Sequence, residues 1–236
     1  MLFKQANELF QQDKYPESIA AYEQIIQQRI ESWEIYYNLG NAYFRSGKVA
    51  YAILNYERAK KLAPQEEDVL HNLKIANLSI VDKVAEPPEF FVIKILNDFI
   101  SLTGLQMNLD QVTKVMLGTY LVFMALVIVR LIIPNKTTRR RILYILLPVG
   151  IILIIFVISF QIQLYSASNF NEAIVIAEKV DVMGAPGNDA TQVFTLHEGI
   201  KVKIENRAEK DNEIWIEIRL ADNNSGWVLE STVERI

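Results

Sequence analysis

Cysteine is absent from the 236 residues, and histidine occurs twice, at His71 and His197. The first absence excludes disulfides, thiolate nucleophiles and cysteine-based metal sites. Two histidines so far apart do not assemble a metal site or a catalytic triad from neighbouring positions. Residues 113–166 contain no aspartate or glutamate, so they carry no acidic proton path. Ser46-Gly47-Lys48 lacks the earlier glycine that a phosphate loop requires. The remaining carboxylates are scattered, so no catalytic residues, no metal and no cofactor are expected. A net charge of −4 and acidic flanks also argue against nucleic acid, whose phosphates need a basic face.

Apolar residues, by contrast, are concentrated. Val115–Ile133 is a run of nineteen residues whose only charge is Arg130, and Ile142–Ile162 is a run of twenty-one with none. Crossing a hydrocarbon core takes about 20 apolar residues. Leu, Ile, Phe and Val each favour insertion by about 0.3 to 0.6 kcal/mol, against about 3 lost for a central Arg. Both runs therefore insert, with Arg130 snorkelling to the interface. They predict a transmembrane hairpin over residues 113–165 with a loop at 134–141 and membrane lipid as its surroundings.

Charge orients the hairpin. Residues 113–166 hold 6 Lys+Arg and no acid, while 1–112 hold 11 against 15 and 167–236 hold 7 against 13. Lys136, Arg139, Arg140 and Arg141 crowd the short connection, where the positive-inside bias is strongest. The connection is thus expected in the cytoplasm and both flanks across the membrane, which in a bacterium is the periplasm, with the chain in the inner membrane. Export of a long N-terminal segment needs a signal peptide, and none is present.

Shifting the chain by 34 residues superposes 6–25 (ANELFQQDKYPESIAAYEQI) on 40–59 (GNAYFRSGKVAYAILNYERA), matching Asn7 with Asn41, Phe10 with Phe44 and Tyr22 with Tyr56. Two amphipathic helices in a 34-residue period resemble the tetratricopeptide repeat. Leu39, Gly40, Tyr43, Ala52, Tyr56, Ala59 and Pro64 stand at that family's key positions. Gly40 and Ala52 permit close helix approach, and Tyr43 and Tyr56 fill the space between the helices. A third copy, 67–84, has the first-helix pattern alone and reads as a solvating or docking cap. The first copy lacks its opening two consensus positions, so a longer gene product is expected, with a signal peptide removed or the start trimmed.

Arrays of this family bind peptides in the groove lined by their first helices. Here the resemblance places Asn7, Phe10, Tyr37, Asn38, Asn41, Phe44, Arg45, His71 and Asn72 in that lining. The pairs Asn7/Asn38 and Asn41/Asn72 offer amide donors and acceptors to a peptide backbone; equally, asparagine is ordinary repeat consensus. Phe3 and Asp68 stand where the carboxylate-clamp subtype has lysines, so recognition of a C-terminal carboxylate is not expected.

Residues 89–104 place Phe91, Ile95, Phe99 and Leu102 on one helical face. They predict an amphipathic linker helix within 87–112 that lies on the membrane surface or packs back on the repeats. Beyond Glu172 the period becomes alternating. Four strand-like runs (AIVIAEKVDV, GIKVKIENRA, EIWIEIRLA and SGWVLESTVERI) are separated by turn signals. Their order resembles the bacterial SH3 domain over 170–236, with Gly226 giving a close turn, Trp227 covering the barrel end and Val228 entering the core. Many such domains bind cell-wall peptides, which would assign Met183, Pro186 and Trp215 to a ligand surface; the alternative is that Trp215 and Trp227 fill a small core.

The predicted fold class is a multidomain membrane protein. It comprises an all-α tetratricopeptide array with its capping helix (1–86), the linker helix (87–112), a two-helix transmembrane hairpin (113–165) and an all-β SH3-like barrel (170–236). That order, together with HNLKIANLSIVDK at 71–83, resembles the BatE family of the Bacteroides aerotolerance operon. The resemblance implies a non-enzymatic scaffold or adaptor working with von Willebrand A-domain Bat proteins and a MoxR-type AAA+ ATPase, in stress tolerance or envelope-protein maturation. The alternative is an envelope sensor or anchor that binds peptidoglycan.

Overall fold

A computed structural model of the chain describes residues 2–64, 66–82, 109–169 and 171–236. The predicted amphipathic segment at 89–104 lies outside the described residues. Residues up to 82 and from 171 onward form one compact unit, and residues 109–169 a second.

The first unit opens with five helices, α1 (Leu2–Gln11), α2 (Tyr15–Gln27), α3 (Trp33–Arg45), α4 (Val49–Leu62) and α5 (Glu67–Leu78). The repeat is visible in the backbone itself. Asp13 and Gly47, one period apart, both adopt left-handed φ values (58° and 79°) in the turn between the helices of a pair, a conformation that suits glycine and that aspartate tolerates. Ser32 caps α3 by accepting from the Ile35 amide at 3.4 Å. A Cβ on Gly40 would lie 2.7 Å from the Tyr56 ring and 3.3 Å from the Ala52 carbonyl. The small residue is therefore a steric requirement of the α3–α4 crossing. Ala6, Tyr22, Leu39, Ile53, Tyr56 and Ala76 are buried in one continuous core.

Seven strands follow, β1 (Glu172–Val175), β2 (Lys179–Met183), β3 (Gln192–His197), β4 (Lys201–Lys210), β5 (Glu213–Arg219), β6 (Ser225–Leu229) and β7 (Val233–Arg235), with a 3-10 turn before the last. All pairings are antiparallel, in the order β3-β2-β6-β5-β4-β1-β7. No ladder joins β3 to β7 among the described residues, so the sheet is open at its two edges instead of closing as a barrel. Four expected runs thus become seven strands. The run AIVIAEKVDV divides because the amides of Ile176 and Ala177 turn away to the Thr232 carbonyl. Strand β3 escaped notice because it is an edge strand with little inward alternation, Val193 being largely exposed. Gly226 lies inside β6, where a Cβ would meet Val182 at 2.5 Å, so it serves a close strand crossing and not a turn. Val228 is buried, as expected.

The sheet packs directly on the repeats. Ile174 of β1 is fully buried within the helical core. Gly199, at φ +91°, lets the β3–β4 turn approach Ile53 and Ile80 so closely that a Cβ would lie 2.4 Å from Ile80. Polar contacts surround this apolar joint. Arg58 pairs with Glu234 at 3.0 Å and donates to the Arg235 carbonyl at 2.7 Å. Lys61 donates to the Ile236 carbonyl at 3.1 Å. Lys201 bridges Glu57 at 3.1 Å and Glu172 at 2.9 Å, and Asp82 accepts from the His197 amide at 2.7 Å. Glu57 is only 8% exposed, and Lys201 is its ion-pair partner. A buried pair of this kind fixes orientation more than it adds stability. The third repeat copy therefore ends as a docking cap, its Ile80 and Asp82 meeting the sheet.

In the second unit, α6 (Leu109–Ile132) and α7 (Lys136–Asn169) are both long and apolar enough to cross a membrane. Thr113 and Thr119 return their hydroxyls to carbonyls one turn back, satisfying them within the helix. Gly150 brings α7 against Phe123 of α6, with 3.4 Å left for a Cβ. The connection is shorter than the predicted loop 134–141. Helix α7 already begins at Lys136, with Asn135 accepting from the Thr137 amide, so Lys136, Arg139, Arg140 and Arg141 occupy its first turns.

Candidate functional site

The inner face of the repeats carries two matching polar nodes one period apart. In the first, Asn7 Oδ1 accepts from the Tyr22 hydroxyl and, at 3.5 Å, from Asn38 Nδ2. In the second, Asn41 Oδ1 accepts from the Tyr56 hydroxyl at 2.7 Å and from Asn72 Nδ2 at 2.9 Å. Asn72 Nδ2 also donates to the Tyr37 hydroxyl at 3.0 Å. Each node ties three helices together. The asparagines, expected to offer amide donors and acceptors to a peptide, are also bonded to one another and to buried tyrosines.

Burial explains this arrangement. Tyr22 and Tyr56 are each 1% exposed, and a phenol so placed must find an acceptor or forfeit a hydrogen bond. Burial pushes the Tyr22 phenol up to about 12, with a Ser18 hydrogen bond acting in the opposite sense. It also holds Tyr56 well above the usual tyrosine range. Both rings therefore remain neutral donors near neutral pH. Their role was legible in the repeat pattern only as filling, although the shared 34-residue spacing of Asn7/Tyr22/Asn38 and Asn41/Tyr56/Asn72 was a usable signal.

The nodes leave specific groups for a ligand. Both lone pairs of Asn41 Oδ1 and both hydrogens of Asn72 Nδ2 are engaged, while Asn41 Nδ2 and Asn72 Oδ1 have no protein partner among the described residues. The first node repeats the scheme with Asn7 Nδ2 and Asn38 Oδ1. Each node thus presents an amide donor and an amide acceptor, the complement of a peptide unit. Two cavities of about 200 and 230 Å³ accompany them, sharing Phe10 and Asn41. Gln11 and Tyr22 complete the first, and Phe44, Arg45, Tyr56, Asn72 and Ile75 complete the second. Ile75 is 40% exposed and supplies apolar surface.

Other expected residues are placed differently. Tyr37 reaches the second node through its hydroxyl and lines neither cavity. His71 is exposed on α5 and also lies outside both. Arg45 sits 5.3 Å over the Tyr15 ring and 3.7 Å from Asp13, a mostly exposed pairing of modest strength. On the sheet, Trp215 is 3% exposed, with its Nε1 buried and without a partner among the described residues. Its burial fits the alternative in which Trp215 fills the interior, and it takes Trp215 out of the surface expected from Met183, Pro186 and Trp215. Met183 is half-buried on β2 opposite Trp227, and Pro186 is half-buried in the loop after it.

Among the described residues no group of three histidine, aspartate or glutamate side chains is placed to hold a metal ion. Comparison with curated proteins gives no match. A family model that matches is the tetratricopeptide repeat, over residues 3–67, a span that holds the whole first node and Tyr37, Asn41 and Tyr56 of the second but not Asn72.

Proposed function

We propose that this chain is a non-enzymatic membrane scaffold that holds an extended segment of a protein partner in the groove of its repeats. The observation that carries the reading is the pair of Asn–Tyr–Asn nodes, each presenting one free amide donor and one free acceptor beside a small cavity. Two membrane-length apolar helices support anchorage, and the four cations at the start of α7 support a cytoplasmic connection with repeats and sheet in the periplasm of a bacterial inner membrane.

The seven-stranded antiparallel sheet is read as an SH3-like module whose edge strands remain unjoined. Its docking on α4 and α5 supports a role in shaping the array over an independent role as a wall binder. Burial of Trp215 weighs against peptidoglycan recognition in the same way. The partners proposed are those the BatE resemblance implies, von Willebrand A-domain proteins associated with a MoxR-type ATPase.

Asn41→Asp tests the groove. Aspartate keeps an acceptor for Tyr56 and Asn72 but replaces the outward amide donor with a carboxylate oxygen. Recovery of co-purifying partners from solubilised membranes should fall by about 5- to 150-fold, corresponding to about 1 to 3 kcal/mol of lost hydrogen bonding. Equal recovery by a normally folded variant would mean that partners dock elsewhere.

A further inference from the structure

The same repeats carry a third cavity, of about 320 Å³, that shares no residue with the two in the groove. Its polar lining comes from four elements: Glu23 and Gln27 on α2, Tyr43 on α3, Tyr51, Asn55 and Arg58 on α4, and Glu234 on β7. Two independent features of this lining point to the same occupant.

The first is charge. Glu234 is paired with Arg58 at 3.0 Å. Glu23 accepts the Tyr43 hydroxyl and has no ion-pair partner among the described residues. The lining therefore keeps one uncompensated negative charge. Tyr43 registers it, since burial first, and then Glu23 and Glu234, hold its phenol above the usual tyrosine range.

The second is an orphaned acceptor. Asn55 is 2% exposed; its Nδ2 donates to the Tyr51 carbonyl at 2.8 Å, while its Oδ1 is buried without a donor among the described residues. Buried polar atoms are normally satisfied, and an unsatisfied one marks a place where a donor gains more than it would in water. Ile26 and Leu54 supply apolar wall between these polar points.

A negative charge, a missing donor and an apolar wall together select a cation on an alkyl stem. Guanidinium, a rigid planar fork, is already represented by Arg58 on Glu234; a compact ammonium carries three donors on one atom and can serve a carboxylate and an amide at once. We propose that the cavity is a receptor site for a primary alkylammonium, the lysine side chain of a protein partner. Because Glu234 belongs to the sheet and the other polar groups to the repeats, the site is complete only while β7 is docked on α4.

The test uses the full-length chain in detergent micelles and two probes, acetyl-Gly-Lys-Gly-amide and the same tripeptide with norleucine in place of lysine, followed by saturation-transfer NMR. The lysine peptide should bind saturably, with the norleucine peptide at least about tenfold weaker. Glu23→Gln leaves Tyr43 an acceptor but removes the free charge, and should weaken the lysine peptide by about 5- to 20-fold, as expected for loss of a charge-assisted hydrogen bond. Raising the salt from low to high ionic strength should weaken it without any substitution. The groove variant Asn41→Asp should bind the lysine peptide unchanged, which separates this site from the groove. Equal binding of the two peptides, undiminished binding by Glu23→Gln, or no saturable binding would each overturn the proposal.

Discussion

Replacing Asn41 with alanine is the most informative perturbation of the repeats, because this side chain has both a structural and a ligand-facing end. Its Oδ1 accepts from Tyr56 at 2.7 Å and from Asn72 at 2.9 Å. Tyr56 is 1% exposed, and its ring is wedged against Gly40, so the hydroxyl cannot turn to water once its acceptor has gone. Leaving such a donor unpaired costs about 1 to 3 kcal/mol. Asn72 loses less, since it is only half-buried and keeps Tyr37 at 3.0 Å. Alanine returns about 0.5 kcal/mol through its better helix propensity. The net loss should be about 1 to 2.5 kcal/mol, a large fraction of what a repeat pair can spare.

Tyr56→Phe removes the hydroxyl instead and should cost about 0.5 to 1.5 kcal/mol. In the double variant no buried hydroxyl is left unpaired, so its loss should fall short of the sum of the two single losses by about 1 kcal/mol. Hydrogen exchange in full-length protein reads this locally: protection of peptides spanning residues 39–59 should drop by about tenfold for each 1.4 kcal/mol, with peptides from β5 and β6 as the internal reference. Unchanged protection in Asn41→Ala, or strictly additive losses, would refute the claim that the node is a structural tie. Asn41→Asp, which keeps the acceptor, should retain wild-type protection.

Two further outcomes are expected. Gly199→Val puts a branched side chain at φ +91° and within 2.4 Å of Ile80; strain of about 1 to 3 kcal/mol should loosen the sheet from the repeats, seen as faster exchange at both α5 and the β3–β4 turn, and wild-type exchange there would show that the joint is not steric. A cysteine at Thr138 should resist a membrane-impermeant thiol reagent in spheroplasts while one at Asn188 reacts; labelling at 138 from outside would reverse the orientation.

Periodicity made much of the helical part legible. The 34-residue shift gave the helix pairs, and the tetratricopeptide resemblance anticipated a close approach at Gly40 and Ala52 with Tyr56 filling the space between the helices; the direct Gly40–Tyr56 contact came from the structure. The groove was legible as a list of positions and not as a network. That Asn41 accepts from Tyr56 depends on Tyr56 being buried to 1%, and burial is a property of the assembled array. The joint between Gly199 and Ile80, the Lys201–Glu57 bridge and the closing of the third cavity by Glu234 were invisible for a related reason: each joins residues more than a hundred positions apart, and no local pattern couples them. Strand β3 was missed because an edge strand need not alternate.

The joint also constrains how the chain can be threaded. Residues up to 82 and from 171 belong to one packed unit, with Ile174 of the sheet inside the repeat core and Glu57 of the repeats neutralised by Lys201 of the sheet. Such a unit closes only if both of its parts reach the same side of any membrane that the intervening chain crosses, so the crossings must be even in number. Helices α6 and α7, both long and apolar enough to cross, would supply two. The positive-inside bias of Lys136, Arg139, Arg140 and Arg141 bears only on which side that is. An error in orientation would therefore carry repeats and sheet together to the other compartment and leave the groove, the joint and the lysine site intact. Synthesis order adds a consequence: the flank of the repeats around Ile53, Glu57 and Ile80 is made well before the sheet that covers it, so the buried carboxylate of Glu57 finds Lys201 only after the intervening helices have been made.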